Sequence, residues 1–275
     1  MSSELIPPPE IPQPSWADLG LSPASLEILA KAGFQAPTPV QALSIPEGLQ
    51  GRDLIVSAQT GTGKTASFVL PMVEKLEGRN GLYGLILAPT REIAQQIQAT
   101  IDLFGVPRGV RAATLIGGID MRIDLKALQT HPQIIVATPG RLCDHIQRGT
   151  IWIEFIEMVV LDEADRMLDM GFAQQLSIIF DQLPQERQTL LFSATIPGSI
   201  EQLGKRILKD PKRIMAAKAL ATTTSVEQRM VMMDDGSKRS ELRRLLSEEP
   251  GSVMVFVRSK IGAAKLMRSL HSDGF

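Results

Sequence analysis

Residues 53–65 read DLIVSAQTGTGKT, an apolar run followed directly by a turn that is rich in glycine and threonine. The apolar run includes β-branched residues and no charge, which predicts a strand buried in a parallel sheet. After the turn, residues 64–76 carry apolar side chains at helical spacing. A buried strand, a tight turn and a helix in this order form the repeating unit of an α/β fold.

The same alternation of short apolar runs and longer helical segments continues along most of the chain. The predicted strands are 53–58, 82–88, 110–116, 133–137, 157–161 and 189–193. The predicted helices are 64–76, 91–104, 121–130, 139–148, 172–182 and 197–208. This order predicts a parallel sheet with helices on both faces.

The length of 275 residues exceeds that of one typical domain. The composition predicts a flexible proline-rich tail over 1–14, an α/β domain over 15–215, a small threonine-rich linker over 216–225 and a partial second domain over 226–275. Within the partial domain, the pattern predicts strands at 226–232 and 252–257 and helices at 238–246 and 260–271. Two strands and two helices bury only a small core.

The composition excludes several classes of protein. The 29 basic and 30 acidic residues give a net charge of −1, so any nucleic acid must be held by local geometry and not by an overall field. The single cysteine, Cys143, excludes an internal disulfide, and the three histidines lack the spacing of a zinc site. No signal peptide and no membrane-spanning apolar run is present, so we expect a cytoplasmic protein.

Polar or glycine-bearing turns directly follow the predicted strands. These turns are 59–65, 89–92, 117–118, 138–141, 162–165 and 193–195. The carboxyl ends of parallel strands meet at one edge of a sheet, where turns present backbone N–H groups to ligands. The sequence therefore predicts one composite site at that edge.

The first of these turns is the most specific. Gly61 and Gly63 let the backbone wrap an anion, Lys64 can reach the outer phosphates of a nucleoside triphosphate, and Thr65 can hold magnesium. Ala58 stands where the general pattern has glycine. A dinucleotide site is an alternative, but it needs an acidic residue near the end of the next strand, and residues 87–89 read LAP. A tight structural turn is the other alternative.

Two carboxylates, Asp162 and Glu163, follow the buried-strand pattern of 158–161. Metal-bridged phosphates need a carboxylate near the metal, and hydrolysis needs a group that positions water. Asp162 suits the first role and Glu163 suits the second. As an alternative, the acids of 162–165 cap the helix that follows.

Two further turns combine a candidate helix cap with a cation. Thr90 precedes Arg91, and Thr138 is followed at a short distance by Arg141. Capping alone is one explanation. Cations at helix N-termini also grip phosphate oxygens without contacting bases, and the glycines at 117–118 permit close approach of a polyanionic strand.

As a set, these motifs resemble the DEAD-box ATP-dependent RNA helicases, in particular their compact bacterial members. The resemblance runs from Trp16 to the last residue and includes a match of Gly33-Phe34, Pro37-Thr38-Pro39 and Gln41 to the Q motif of the family. It implies a RecA-like P-loop domain followed by the start of a second RecA-like domain. It also implies ATP and Mg²⁺ as cofactors and RNA as a partner bound through its backbone without sequence preference.

The resemblance also implies roles for individual residues. Gln41 would contact the adenine edge, which an amide can pair with as donor and acceptor, and Phe34 would pack near the base. The implied ATP-binding residues are Phe34, Gln41, Gln59, Thr60, Gly61, Thr62, Gly63, Lys64 and Thr65. The implied catalytic residues are Lys64, Asp162 and Glu163, with Thr65 and Asp162 as the Mg²⁺ ligands. The implied RNA-binding residues are Thr90, Arg91, Gly118, Thr138, Gly140 and Arg141. Asp165, Ser193 and Thr195 would couple hydrolysis to strand separation through hydrogen bonds.

The sequence departs from the family pattern after residues 255–260, which read VFVRSK and resemble the first motif of the second lobe. The Thr-Asp and His-Arg-x-Gly-Arg segments of that lobe do not occur in the 275 residues. Because an arginine at the γ-phosphate is worth roughly a thousandfold in turnover, we predict that this polypeptide binds ATP weakly and hydrolyses it poorly. Two alternatives to a helicase are an ATP-gated RNA clamp that does not hydrolyse ATP and a DNA-acting translocase of the same superfamily, superfamily 2.

Overall fold

The computed structural model describes residues 14–59, 61–216 and 229–275. The chain forms two compact units, Met1–Ala221 and Thr222–Phe275. Apart from Pro14 and Ala216, the predicted tail over 1–14 and the predicted linker over 216–225 lie outside the described residues. The assignment of these segments to domains stays a prediction.

The first unit contains a seven-stranded parallel sheet with the order β3-β4-β2-β5-β6-β1-β7. Its strands are β1 (Leu54–Ser57), β2 (Gly84–Leu87), β3 (Ala112–Leu115), β4 (Ile134–Ala137), β5 (Met158–Leu161), β6 (Gln188–Ser193) and β7 (Lys212–Met215). The strand β1 lies between β6 and β7, with Ser57 opposite both Ser193 and Met215. All adjacent strands are parallel, so their carboxyl ends lie at one edge of the sheet.

Helices cover both faces of this sheet. They are α1 (Pro23–Lys31), α2 (Pro39–Leu49), α3 (Lys64–Leu76), α4 (Arg91–Gly105), α5 (Met121–Leu128), α6 (Pro139–Gln147), α7 (Ala164–Asp169), α8 (Ala173–Gln182) and α9 (Gly198–Ile207). Successive strand residues point to opposite faces, so Val56 packs into one apolar core and Ile55 into the other. Burial on both faces explains the continuous apolar runs and confirms the predicted fold class.

The sequence pattern did not predict α1, α2, α7 or β7 of this unit. The strand β7 lies at the edge of the sheet with only Ile214 buried, so it lacks the apolar run of a central strand. Both α1 and α2 begin with a proline after Ser22 or Thr38, a start signal that could have revealed them. The predicted strands are otherwise correct, but most extend one or two residues too far at their ends.

The second unit contains α10 (Lys238–Glu248) and α11 (Lys260–Ser272), close to the two predicted helices. The strand predicted at 252–257 is wrong, because this segment has no ladder partner among the described residues, and a strand exists only when a neighbour accepts its hydrogen bonds. The strand predicted at 226–232 is described only from residue 229 and is not a strand there. An apolar groove of about 760 Å³ is lined in part by Leu246, Val255 and Leu266.

Within the described part of the chain, no helix combines the length and the apolar character needed to cross a bilayer.

Candidate functional site

The turn between β1 and α3 has the backbone of an anion-binding loop. Gly61 and Gly63 adopt φ values of +84° and +89°, in the left-handed region that favours glycine. Thr62 closes the turn by donating from its hydroxyl to the carbonyl oxygen of Gln59 at 2.7 Å. The first N–H groups of α3 follow directly and have no partner inside the helix, so the loop is suited to an anion. Thr60 lies outside the described residues.

Gln41 joins the predicted Q motif to this loop. Its side chain is buried, with Oε1 accepting from the Thr38 N–H at 2.8 Å and Nε2 donating to the Gly63 carbonyl at 3.0 Å. A carboxamide has two N–H groups and two acceptor positions on its oxygen, so one of each is left for a ligand. The contact with adenine stays a prediction, and the structure adds a bond that holds the phosphate turn.

Phe34 belongs to an aromatic cluster beside the Q motif. Its ring centroid lies 6.3 Å from that of Trp16, edge to face, and 5.8 Å from that of Phe104. The buried Trp16 also donates from Nε1 to the carbonyl oxygen of Phe34 at 3.1 Å. Phe34 remains 37% exposed, so part of its surface is accessible to a ligand.

Lys64 and Asp162 are buried opposite charges in one cleft. Lys64 is 5% exposed, and its Nζ has no hydrogen-bond acceptor among the described residues. Asp162 is 4% exposed, and burial raises its pKa to about 6, with Lys64 opposing the shift and Glu163 adding to it. A buried ammonium without an acceptor is costly, and an anion such as a phosphate would relieve that cost.

The cleft has a volume of about 550 Å³. It is lined by Gly61, Gly63, Lys64, Thr65, Ile93, Gln96, Ile97, Asp162, Glu163 and Arg166. The Thr65 hydroxyl and the Asp162 carboxylate supply the oxygen ligands that Mg²⁺ prefers. Within the described ranges, no three His, Cys, Asp or Glu side chains gather around a common point. This donor set fits Mg²⁺ bound together with a phosphate, which needs only one or two carboxylates from the protein.

Glu163 occupies a strained position at the start of α7. Its φ and ψ are +53° and +52°, values that are uncommon for any residue other than glycine and that cluster at functional sites. Its carboxylate accepts from Arg166 Nη1 at 3.1 Å, and its N–H donates to Asp162 Oδ1 at 3.0 Å. Arg166 was not predicted from the sequence, although its i,i+3 spacing from Glu163 was a usable signal.

The residues predicted to couple two parts of the site are in contact. Asp165 Oδ2 accepts from both the N–H and the hydroxyl of Thr195, each at 2.9 Å. The N–H of Asp165 donates to the hydroxyl of the buried Ser193 at 3.2 Å. Burial opposes ionisation of Asp165, but the hydrogen bonds from Thr195 and Ser193 outweigh it and lower the pKa. These bonds join the turn after β5 to the turn after β6.

Arg91 and Gly118 are brought together from two different turns. Thr90 caps α4 by accepting from the Ile93 N–H at 3.4 Å, which places Arg91 at the start of the helix. A Cβ added at Gly118 would lie 2.0 Å from Arg91 Nη2, so the guanidinium packs directly against this glycine. Gly118 also has a φ of +75°.

Thr138, Gly140 and Arg141 lie at the N-terminus of α6, with Thr138 as the residue before the helix. Arg141 donates from Nε to Asp124 Oδ2 at 2.6 Å and from Nη2 to the Ile119 carbonyl at 3.0 Å. Asp124 was not predicted from the sequence, because an acid in the first turn of a helix is ordinarily explained by the helix dipole.

Comparison with known proteins agrees with this geometry. A family model described as DEAD/DEAH box helicase matches residues 38–203. The chain is 40% identical over 262 residues to an ATP-dependent RNA helicase CshA of Limosilactobacillus reuteri, covering 94% of this chain and 53% of that protein. It is 40% identical over 264 residues to a DEAD-box ATP-dependent RNA helicase RhpA of Helicobacter pylori strain B128, covering 96% and 54% of the two chains.

A solved structure is also similar. It is the crystal structure of a DEAD box protein from the hyperthermophile Methanococcus jannaschii, with 34% identity and a TM-score of 0.71 over 95% of this chain and 71% of that one. The chain spans about half the length of the curated relatives it matches. The phosphate turn and the two acids after β5 lie at one edge of the sheet, and both fall within the matched residues 38–203. The chain therefore belongs to the DEAD/DEAH box helicase family.

Proposed function

We propose that this protein is an ATP-dependent RNA helicase, which couples ATP binding and hydrolysis to local unwinding of RNA duplexes or to remodelling of RNA–protein complexes. One observation carries the proposal. Lys64, Asp162 and Glu163 line the same cleft, and the buried Lys64 ammonium has no hydrogen-bond acceptor in the described part of the chain. A cytoplasmic location stays a prediction from the sequence.

The cleft supplies the groups that phosphoryl transfer needs. The backbone of 61–63 and the N-terminus of α3 would bind the phosphates, and Lys64 would pair with the outer ones. Thr65 and Asp162 would hold Mg²⁺, which when bound neutralises charge on the phosphate oxygens. Glu163, fixed by Arg166, would orient the attacking water.

The neighbouring turns supply the groups that bind a nucleic-acid backbone. The RNA-facing set would comprise Thr90, Arg91, Gly118, Thr138, Gly140 and Arg141. Cations and helix N-termini contact phosphates without reading bases, so binding would be independent of sequence. The bonds of Asp165 to Thr195 and Ser193 link the nucleotide turn to the end of β6 and offer a path for coupling.

The similar bacterial proteins are named RNA helicases, which favours RNA over DNA as the partner. Matched RNA and DNA strands test this choice. We expect RNA to raise the rate of phosphate release and DNA of the same sequence to raise it far less. Equal stimulation by the two strands would favour the DNA-acting translocase.

For the 275-residue polypeptide itself, an ATP-gated RNA clamp is a second candidate. The arginine-bearing segment of the family does not occur in this sequence, and the chain spans about half the length of its relatives. We expect RNA binding that strengthens with a non-hydrolysable ATP analogue, together with phosphate release roughly a thousandfold below that of a protein carrying the arginines. Turnover comparable with such a protein, measured with saturating RNA, would contradict this prediction.

The substitution Lys64→Ala tests the nucleotide site directly. We expect the affinity for a fluorescent ATP analogue to fall by roughly tenfold or more, because a charge-assisted contact to phosphate is lost. Lys75→Ala is a matched control, since Lys75 lies at the other end of the same helix and forms an ion pair with Glu157 at the surface. A folded Lys64→Ala protein with undiminished affinity would rule out the proposed ATP site and the helicase function with it.

A further inference from the structure

A buried carboxylate outside the predicted set lies beside two of the candidate RNA-binding segments. Asp124, in the first turn of α5, is 0% exposed, and its Oδ2 accepts from Arg141 Nε at 2.6 Å. The same oxygen lies 3.0 Å from Nε2 of His145, which is also fully buried. Arg141 and His145 are four residues apart, so they lie on one face of α6, and Asp124 joins that face to α5.

Arg141 extends this connection to the loop that carries Gly118. Its Nη2 donates to the carbonyl oxygen of Ile119, the residue directly after Gly118, at 3.0 Å. Bonds to Asp124 on one side and Ile119 on the other fix the plane of the guanidinium, which is rigid and planar. Three segments, namely the 117–119 loop, α5 and the N-terminus of α6, are therefore held by one side chain.

The guanidinium keeps donors for a ligand. It has five N–H groups, and the bonds to Asp124 and Ile119 use two of them. Within the described residues, the remaining three are used by no other hydrogen bond. A partly buried arginine paired with a carboxylate is held in one orientation, which suits a group that must present donors to a phosphate.

We propose that Asp124 is a positioning residue for RNA binding, which acts through Arg141 to fix the Gly118 loop and the N-terminus of α6 in the arrangement that grips the RNA backbone. This inference rests on the proposed function, and it adds a residue that itself contacts no RNA. Removal of the Asp124 charge should therefore weaken RNA binding and spare ATP binding.

The test measures RNA affinity by fluorescence anisotropy of a labelled oligouridine, with Mg²⁺ and a non-hydrolysable ATP analogue present. The variant is Asp124→Asn, made in the wild-type protein and again in Arg141→Gln. Asp120→Asn is the matched control, because it removes the same charge four residues earlier, where Asp120 is exposed, pairs with Arg122 and caps α5, a role that asparagine can also fill. Affinity for a labelled ATP analogue and the urea unfolding midpoint show whether each variant is folded.

We expect Asp124→Asn to weaken RNA affinity by about tenfold, to change ATP-analogue affinity by less than about twofold, and to cause no further loss in the Arg141→Gln background. Asp120→Asn should weaken RNA affinity far less than Asp124→Asn does, because Asp120 is exposed and its attraction to Arg141 is screened by solvent. Wild-type RNA affinity in Asp124→Asn, or the same loss in both backgrounds, would overturn the proposal. A wild-type protein that binds the ATP analogue but no RNA would overturn the proposed function and this inference together.

Asp124→Asn alone leaves the partly buried Arg141 without its counter-charge, so it is the variant most prone to misfolding. If it does not unfold cooperatively, the comparison is made between Arg141→Gln and the double variant Asp124→Asn/Arg141→Gln, in which no buried charge is stranded on Arg141. Equal RNA affinities of these two proteins, both below that of the wild type, support the proposal. A further loss in the double variant contradicts it.

Discussion

Gly63 is the residue at which the phosphate turn tolerates a side chain least. Its φ of +89° costs an ordinary residue about 1–2 kcal/mol, and a Cβ there would lie 2.5 Å from Gln41 Nε2. We therefore predict that Gly63→Ala both strains the backbone and displaces Gln41 from the turn. The free energy of unfolding should fall by more than the backbone strain alone, and affinity for an ATP analogue should fall by roughly tenfold.

Gly78→Ala separates the two effects. Gly78 has a similar φ of +72°, but a Cβ there meets no atom within 4 Å. This variant should lose only the strain energy in a urea titration and should bind the ATP analogue normally. Equal losses of stability in the two variants would show that the contact with Gln41 is unimportant.

At the residue scale, the sequence pointed to residues that the structure brings together where a residue type has few alternative uses, although their roles stay predictions. Lys64 and Asp162 each lie just after a buried strand, so their positions in the sequence predicted that they would meet at the carboxyl edge of the sheet. Both line the same cleft in the structure. Asp124 was missed because an acid in the first turn of a helix is common for reasons unrelated to ligands, and Arg166 was missed because a base in the last turn of a helix is equally common. Their roles depend on partners from other segments, which a single sequence does not pair.

At the scale of elements, an ion cluster around the buried Arg108 joins α1, α3 and the 3₁₀ turn Val106–Arg108. Arg108 Nη2 donates to Glu74 at 3.0 Å and to Glu77 at 2.6 Å. Glu74 also accepts from the hydroxyls of Ser22 and Ser25 at 2.8 and 2.7 Å. Burial opposes ionisation of Glu74, but the hydrogen bonds from Arg108, Ser25 and Ser22 outweigh it and lower its pKa to about 2.

This cluster predicts a loss of stability in acid. The folded pKa of Glu74 lies below its ordinary value of 4.5, so its contribution is complete above about pH 4.5 and is lost as the pH falls towards 2. The shift corresponds to about 3 kcal/mol of unfolding free energy. We expect urea titrations of the wild type to show this loss across that window, and Glu74→Gln to be destabilised at pH 7 with a weaker dependence on acid.

Glu77→Gln serves as the control for the same cluster, because the Glu77 side chain is 45% exposed and its ion pair is partly screened by solvent. It should lose much less stability at pH 7. An acid profile of Glu74→Gln that matches the wild type would assign the acid sensitivity to other carboxylates.

Whether an element could be predicted from the sequence depended on how far its residues are buried. Strands such as β5, whose residues are all buried, read as unbroken apolar runs and were found. The predictions for the edge strand β7 and for the segment 252–257 were wrong in opposite ways. The strand β7 was not predicted, whereas a strand was predicted at 252–257 and none is present there. The strand β7 is paired but mostly exposed, and the segment 252–257 is apolar but has no paired neighbour among the described residues. The hydrophobic pattern of a sequence indicates which residues are buried, whereas a strand also requires a neighbouring strand with which to form hydrogen bonds.

At the scale of the whole molecule, the two units differ in how much they bury. Both apolar cores consist of residues of the first unit, and no described residue of the second unit is buried. We predict that residues 1–221 alone retain the thermal unfolding midpoint and the ATP-analogue affinity of the whole chain. Residues 222–275 alone should show no cooperative thermal transition, because a small segment without a core gains too little on folding.

Differential scanning calorimetry of the two pieces and of the whole chain checks this prediction. A lowered midpoint for residues 1–221 would mean that the second unit stabilises the first. A cooperative transition in residues 222–275 would contradict the prediction for that piece.

The exposed run SVMVFV, residues 252–257, has a practical consequence for handling the polypeptide. Phe256 is 87% exposed, and the run has β-forming side chains, no charge and no proline before Arg258. Short segments of this kind stack between molecules when their backbone is accessible. We therefore expect concentrated preparations to associate through this run, which favours dilute purification and storage, and we expect Phe256→Lys to reduce the association.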